Sequence, residues 1–116
     1  MTAAMAALGD KLRTLEGGRL AFWCPGCHCA HTVRITGTHP WQWNRDADRP
    51  TFDPSIVTWF EQDGVQVGRC HSFVRNGEIE FLNDCDHELR GQRVPLPAWP
   101  GTALQWNTVR GDPWRG

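Results

Sequence analysis

Three cysteines and two histidines stand between positions 24 and 31 of this sequence, in the segment CPGCHCAH. Thiolate and imidazole groups at this density are typical of a site for a soft tetrahedral ion such as zinc, or of a thiol redox centre. A redox CxxC usually opens a helix, whereas the residues after Cys27 alternate in the manner of a strand. We therefore predict that the tight Cys-Pro-Gly-Cys turn directs the thiolates of Cys24 and Cys27 at one zinc ion.

A β-hairpin further along the chain supplies a second pair of cysteines. The dipeptide Asn76-Gly77 favours a two-residue type I′ turn, because both central residues of that turn need positive φ. The resulting register places Cys70 on the same face of the hairpin as Cys85, and His71 on the opposite face. The pairs that this register predicts are Arg75 with Glu78, Val74 with Ile79, Ser72 with Phe81 and Cys70 with Asn83.

Four thiolates from these two pairs would form a closed, structural zinc site. His87 shares the side of Cys85 and is an alternative to it, whereas His31 or His71 would serve if the hairpin turned its other face inward. Cys29 faces away from the site and is interpreted as a packing residue. The predicted ligands are Cys24, Cys27, Cys70 and one of Cys85 and His87, with His31 and His71 as alternates.

Catalytic motifs are scarce in the sequence. A zinc deaminase needs a His-x-Glu element before a Pro-Cys-x-x-Cys element, and this chain has His87-Glu88 adjacent and after the CxxC. It has no HExxH, GxSxG or phosphate-binding glycine loop. A metal-dependent hydrolase or nuclease would need a second, open site, whose candidate residues are His28, His31, His39, Asp46, Asp48, Asp53, His71, Asp84, Asp86 and His87. So many polar residues usually lie in solvated loops, and we therefore favour binding over catalysis.

The segment RPTFDPS, residues 49–55, admits two interpretations. In the structural one, which we favour, Pro50 and Pro54 stiffen the chain and Phe52 fills the core. In the functional one, a pocket beneath Trp41 and Trp43 is lined by Arg49, Asp53 and Ser55.

Composition limits the class of protein. Twelve Lys and Arg against 13 Asp and Glu give a net charge of −1, which provides no general attraction to nucleic acid or to an anionic membrane. No apolar run approaches the length of a membrane span, and the first fifteen residues lack the basic start of a signal peptide. We therefore predict a reducing, cytoplasmic location in which the five cysteines do not form disulfides. The seven tryptophans would suit a contact surface or base stacking, so single-stranded nucleic-acid binding is a further alternative.

The elements that must position the ligands are mostly strands. Alternation of apolar and polar residues predicts strands on both sides of the CPGC loop and a further strand over residues 55–60, while residues 37–55 form an ordered loop. The spacing of Met5, Leu8, Leu12 and Leu15 predicts a short amphipathic N-terminal helix, and Asp86 is expected to cap one helical turn over residues 87–90.

The predicted fold class is a small, mostly β domain of the α+β type. It combines a zinc-knuckle hairpin, a second β-hairpin and the short N-terminal helix. The predicted division of the chain is a helical arm over residues 1–18, a zinc-stabilised β domain over 19–97 and an extension rich in Trp, Pro and Gly over 98–116.

A series of motifs resembles a family of small proteins carried by tailed phages and prophages, and the resemblance covers about residues 20–97. The motifs, in order, are FWCPGC followed by His31, WQWN, RPTFDPS, RCHSFVRNGEIEFL, DCDHELRGQ and VPLP. Some members carry an ammonia monooxygenase label, the name of a membrane copper enzyme, whereas nothing in this chain spans a bilayer. The positions that match the family's Cys and His positions are Cys24, Cys27, Cys70, His71, Cys85 and His87.

What the resemblance implies is a zinc-binding accessory protein made inside an infected bacterium. We therefore predict a phage or prophage accessory protein with one structural zinc ion that binds a macromolecular partner, with a host protein favoured and no membrane association. The alternatives are a metal-dependent hydrolase or nuclease and a single-stranded nucleic-acid binding module.

Overall fold

The computed structural model describes residues 5–100 of the chain, and these residues form two antiparallel β-sheets. The strands of the first sheet, in spatial order, are β1 (Ala6–Leu8), β2 (Leu12–Leu15), β3 (Arg19–Cys24) and β4 (Cys29–Arg34). Those of the second are β5 (Gln42–Trp43), β6 (Phe52–Gln62), β7 (Val65–Arg75), β8 (Glu78–Phe81) and β9 (Arg93–Pro95). Each sheet is a meander in which chain neighbours pair. Nowhere in residues 5–100 is there a helix with the length and apolar character needed to cross a membrane.

The predicted N-terminal helix is wrong. Residues 6–15 form the β1–β2 hairpin, in which Leu8 pairs with Leu12. The second strand of that hairpin also pairs with β3, where Leu12 lies opposite Phe22. Pairing with a neighbouring strand therefore overrides the helical spacing of the apolar residues, because that spacing is only a weak local preference. The mostly β class itself is confirmed.

One apolar core lies between the inner faces of the two sheets. The first sheet contributes Leu12, Leu20, Phe22 and Val33, and the second contributes Phe52, Ile56, Val74, Ile79 and Phe81. The rings of Phe22 and Phe52 stack across the core with centroids 6.1 Å apart. The burial of Phe52 confirms that this residue of RPTFDPS fills the core, and full burial of such a side chain contributes roughly 1.5–3 kcal/mol.

The hairpin predicted from Asn-Gly is confirmed in its turn and in most of its register. Asn76 and Gly77 have φ of 51° and 80°, as a type I′ turn requires. The pairs of β7 with β8 run from Arg75 with Glu78 to Ser72 with Phe81, where the ladder ends, so the expected pair of Cys70 with Asn83 is not formed.

The segment that follows β8 contains no helical turn of the predicted kind. Residues 87–92 instead form hydrogen-bonded turns, in which Arg90 N–H donates to the carbonyl of His87 (3.2 Å) and Gln92 N–H to that of Leu89 (3.0 Å). Most of the predicted C-terminal extension, residues 101–116, lies outside the described residues.

Substitution of Gly77 should test how tightly the turn of the second hairpin is packed. Gly77→Ala introduces a Cβ at positive φ and 3.0 Å from the Cα of Arg49, so we expect a loss of about 1–3 kcal/mol in the free energy of unfolding. Gly64→Ala is the matched control, because Gly64 also has positive φ (79°) but its Cβ would meet no atom within 4 Å. Chemical denaturation should show the smaller loss for Gly64→Ala, and equal losses would contradict the packing argument.

Candidate active site and metal centre

Three thiols and one imidazole converge at one end of the core. Cys24 ends β3, Cys27 lies in the turn before β4, Cys70 lies on the inner face of β7 and His87 follows β8. Their ligand atoms all lie within 4.8 Å of one another. The structure thus brings together four of the predicted ligand residues from elements far apart in sequence.

The turn between β3 and β4 has the geometry of a metal knuckle. The backbone N–H of Cys27 donates to Sγ of Cys24 (3.3 Å), which orients that sulfur toward the other thiols. Residue 26 must be glycine, because a Cβ at this position would overlap the ring of His87. The N–H of Leu89 points at Nδ1 of His87 (3.2 Å), so Nε2 is the ring atom that faces the sulfurs.

The separations within this group match a tetrahedral ion. Sγ of Cys24 and Sγ of Cys70 are 4.0 Å apart, and Sγ of Cys70 and Nε2 of His87 are 3.6 Å apart. Zinc with its usual bond lengths would separate two sulfurs by about 3.8 Å and a sulfur from a nitrogen by about 3.6 Å. The donor set therefore fits such an ion with little rearrangement.

Hydrogen bonds among the thiols determine which one ionises first. Burial raises the pKa of Cys24, but hydrogen bonds from Cys27 and Cys70, together with attraction to His31, outweigh burial and hold that pKa well below its ordinary value. The hydrogen bond with Cys24 is the largest cause that raises the pKa of Cys27 and that of Cys70. A cation that binds the group would therefore displace the protons of these two thiols.

Cys85 and the alternates His31 and His71 occupy other positions. Ligand atoms of His31, Cys29 and Cys27 form a second group within 4.8 Å, so Cys29 lies beside Cys27 rather than apart from it. Burial lowers the pKa of His31, but attraction to the Cys24 thiolate and a hydrogen bond with it raise that pKa overall. Cys85 lies outside both groups of ligand atoms, and so does His71.

On the opposite face of β7, His71 bridges a serine hydroxyl and a carboxylate. Its Nε2 is 3.0 Å from Oγ of Ser55, and its Nδ1 is 3.0 Å from Oδ2 and 3.2 Å from Oδ1 of Asp84. This is the hydrogen-bonded order of a nucleophile, a general base and an orienting acid. Triads are recognised by this geometry rather than by chain order, which here is Ser, His, Asp.

Ser55 is positioned by the start of β6. The indole N–H of Trp41 donates to the carbonyls of Pro54 (3.0 Å) and Ser55 (3.3 Å), which fixes the backbone on which the hydroxyl is mounted. Ser55 is half-buried. Trp41 is therefore a neighbour of Ser55, whose hydroxyl contacts His71.

His71 and Asp84 are each held by further contacts. The backbone N–H of His71 donates to Sγ of Cys85 (3.1 Å), and the thiol of Cys85 donates to the carbonyl of His71 (3.0 Å). Nε of Arg69 donates to the backbone carbonyl of Asp84 (3.1 Å) and lies 3.6 Å from Oδ2 of its carboxylate. The hydrogen bond from His71 is the largest cause that lowers the pKa of Asp84, and attraction to Arg69 adds to it.

The sequence predicts His71 as an alternate zinc ligand and groups His71 and Asp84 among the candidates for an open metal site, but it joins neither of them to Ser55. The hairpin register did contain a signal for the pair, because it predicts that His71 faces away from Cys70 and that residue 84 lies near Arg69. No motif in the sequence marked Ser55 as a nucleophile.

A family model described as bacterial ubiquitination-like system serine protease (BubE) matches residues 5–82, well over half of the chain. The matched range contains Ser55 and His71, and Asp84 follows two residues after its end. No curated protein and no solved structure matches the chain.

Removal of one thiol should identify the metal ligands. Cys70→Ser withdraws a donor from the four-residue group, so we expect it to abolish metal binding and to lower the melting temperature by about 10 °C or more. The wild-type protein should carry one ion per chain at this group, measured by elemental mass spectrometry. Cys85→Ser is the matched control and should keep that stoichiometry, and an equal loss of metal in both variants would place Cys85 among the ligands.

Proposed function

This chain belongs to the BubE family of bacterial ubiquitination-like system serine proteases, and from its hydrogen-bonded Ser55, His71 and Asp84 we propose that it is a serine protease. The observation that carries the proposal is the unbroken chain of contacts from Oγ of Ser55 through His71 to the carboxylate of Asp84. The family description names a ubiquitination-like system, and we propose that the substrates of this protein belong to such a system.

The proposed reaction proceeds through an acyl-enzyme. Oγ of Ser55 attacks the scissile carbonyl carbon while Nε2 of His71 accepts the hydroxyl proton. The tetrahedral intermediate expels the amine, which takes that proton from His71, and an ester of Ser55 remains. A water molecule then attacks the ester while His71 again accepts and returns a proton, so that the acid product and the free serine are released.

Asp84 orients the base in this proposal. Its carboxylate accepts a hydrogen bond from Nδ1–H of His71, which leaves the lone pair of Nε2 directed at Ser55 and stabilises the imidazolium as it forms. Because the pKa of Asp84 is lowered, its carboxylate stays ionised at pH values at which an ordinary aspartate would begin to be protonated.

We propose that zinc occupies the group of Cys24, Cys27, Cys70 and His87. Three thiolates and one imidazole saturate the tetrahedral coordination that zinc prefers, which is the arrangement of a structural ion. Bound there, the ion supplies folding free energy and a fixed junction between the β3–β4 turn, β7 and the segment after β8. The residues of the proposed triad lie outside this ligand group.

The protease function also accounts for the macromolecular partner that the sequence predicts, because the substrate of a protease is a protein. The contacts of Ser55 with His71 favour catalysis over binding alone, and they do so without the open metal site that the sequence suggested for a hydrolase. A phage or prophage origin, a host partner and a cytoplasmic location stay predictions.

Covalent labelling should test the nucleophile. We expect the wild-type protein to react with a fluorophosphonate probe and Ser55→Ala to lose labelling by a factor of about 100 or more, because the activated hydroxyl is removed. Ser72→Ala is the matched control, since the Ser72 hydroxyl is fully buried and has no hydrogen-bond partner among the described residues. Peptide mapping should place the label on Ser55, and equal labelling of wild type and Ser55→Ala would refute the proposal.

Metal removal should disable the triad indirectly. His71 adjoins the ligand Cys70, and Asp84 lies three residues before His87, so loss of the ion should release both from their positions. We expect chelation to reduce the rate of fluorophosphonate labelling by at least about tenfold together with the melting temperature, and stoichiometric zinc to restore both. Undiminished labelling of metal-free protein would show that the triad does not depend on the ion.

A further inference from the structure

Strand β6 has an open edge that begins at the candidate nucleophile. On the side away from β7, β5 pairs with Phe52 and Asp53 of this strand. Within residues 5–100, no strand pairs with β6 on that side after Asp53. Residues 55–62 therefore form an edge strand, and Ser55 is its first residue.

The hydrogen bonds of β7 show which groups of β6 point to this edge. The carbonyl of His71 accepts from the N–H of Leu82, and its own N–H donates to Sγ of Cys85, so both groups point away from β6. The carbonyl and the N–H of Arg69 also point away from β6, because both bond Asp86. In an antiparallel ladder, the residues opposite such positions belong to non-hydrogen-bonded pairs. Val57 lies opposite His71 and Trp59 lies opposite Arg69, so both direct their own N–H and C=O groups to the open edge.

The side chains at this edge are also unusual for an exposed strand. Val57 and Trp59 are each 42% exposed, and they share the outer face of β6 with Ser55 because side chains alternate. The guanidinium of Arg69 lies over the ring of Trp59, 5.2 Å from its centroid, and holds it in place. Edge strands are normally protected by a lysine, a proline or a bulge. Between Pro54 and the bulge at Phe60 and Glu61, the apolar residues Val57 and Trp59 stay exposed on this edge and adjoin the nucleophile.

We propose that the edge of β6 over residues 57–59 binds the substrate as an added β-strand, so that the protein cleaves extended polypeptide segments rather than folded surfaces. The peptide groups of Val57 and Trp59 bond the main chain of the substrate, and the two side chains contact an apolar residue of it. The inference rests on the proposed protease function, since the occupant is defined by its position beside Ser55. Main-chain bonding supplies affinity that does not depend on sequence, and the apolar contact supplies selectivity.

The test removes one edge hydrogen bond and leaves the triad in place. Val57→Pro deletes an N–H that points to the open edge, where proline is tolerated in strands, and Val57→Ala is the control that keeps the N–H and shortens the side chain. The probes are an internally quenched decapeptide library of random sequence and a fluorophosphonate. We expect Val57→Pro to lower kcat/KM for the library by about tenfold, and by more than Val57→Ala does, while the rate of fluorophosphonate labelling stays within about twofold of wild type.

Each other result decides against the inference or against its premise. Unchanged library cleavage by a labelled Val57→Pro protein would overturn strand addition, and so would a wild-type protein that labels but cleaves no library peptide. Absence of labelling in wild type would instead refute the protease function. Wild-type dimers that Val57→Pro converts to monomers, with library cleavage unchanged, would assign the edge to a second copy of the chain. If Val57→Pro does not fold, Trp59→Pro removes the next outward N–H at a greater distance from Ser55, and the same criteria apply.

Discussion

The alternation of side chains along β7 is the constraint on which both sites depend. Cys70 is buried on the inner face and reaches Cys24, whereas His71, the next residue, lies on the outer face and reaches Ser55. The metal centre and the candidate triad therefore stand back to back across a single sheet. A slip of one residue in the pairing of β7 would exchange the two faces and abolish both groups of contacts at once.

Residues 84–87, in the segment after β8, each contact β7 through a side chain, in addition to the backbone hydrogen bonds from Leu82 and Asp86. Each has its own contact, in the order Asp84 with the His71 ring, Cys85 with the His71 peptide, Asp86 with the Arg69 peptide and His87 with Cys70. The ion pair of Asp84 with Arg69 is exposed to solvent, and exposed ion pairs contribute little to the free energy of unfolding. Coordination of the proposed metal ion by His87 would therefore be the strongest means of fixing the position from which Asp84 reaches His71.

The sequence determines the positions of His71 and Asp84 far more directly than that of Ser55. Asn76-Gly77 fixes the register of β7 with β8, and that register already separates Cys70 from His71 and brings residue 84 near Arg69. The outward direction of the Ser55 side chain depends on a bulge between Phe60 and Glu61. An uninterrupted hairpin at Asp63-Gly64 would place Ser55 opposite Ser72 on the inner face, whereas the bulge shifts Ile56 to that position and turns Ser55 outward. No residue pattern predicts this bulge, and none predicts that residues 6–15 form a hairpin whose second strand pairs with β3.

The two candidate sites lie on opposite faces of the second sheet, which explains how a small domain accommodates both. A small domain buries too little apolar surface to compensate for an unpaired charge in its core. Buried thiolates on the inner face are compatible with such a core when a cation neutralises them, and the ion then adds folding free energy that the core lacks. The side chains of Ser55, His71 and Asp84 lie on the outer face, where they are partly exposed to water. Because they come from β6, β7 and the segment after β8, which are successive elements of one meander, the second sheet by itself brings the three side chains of the candidate triad together.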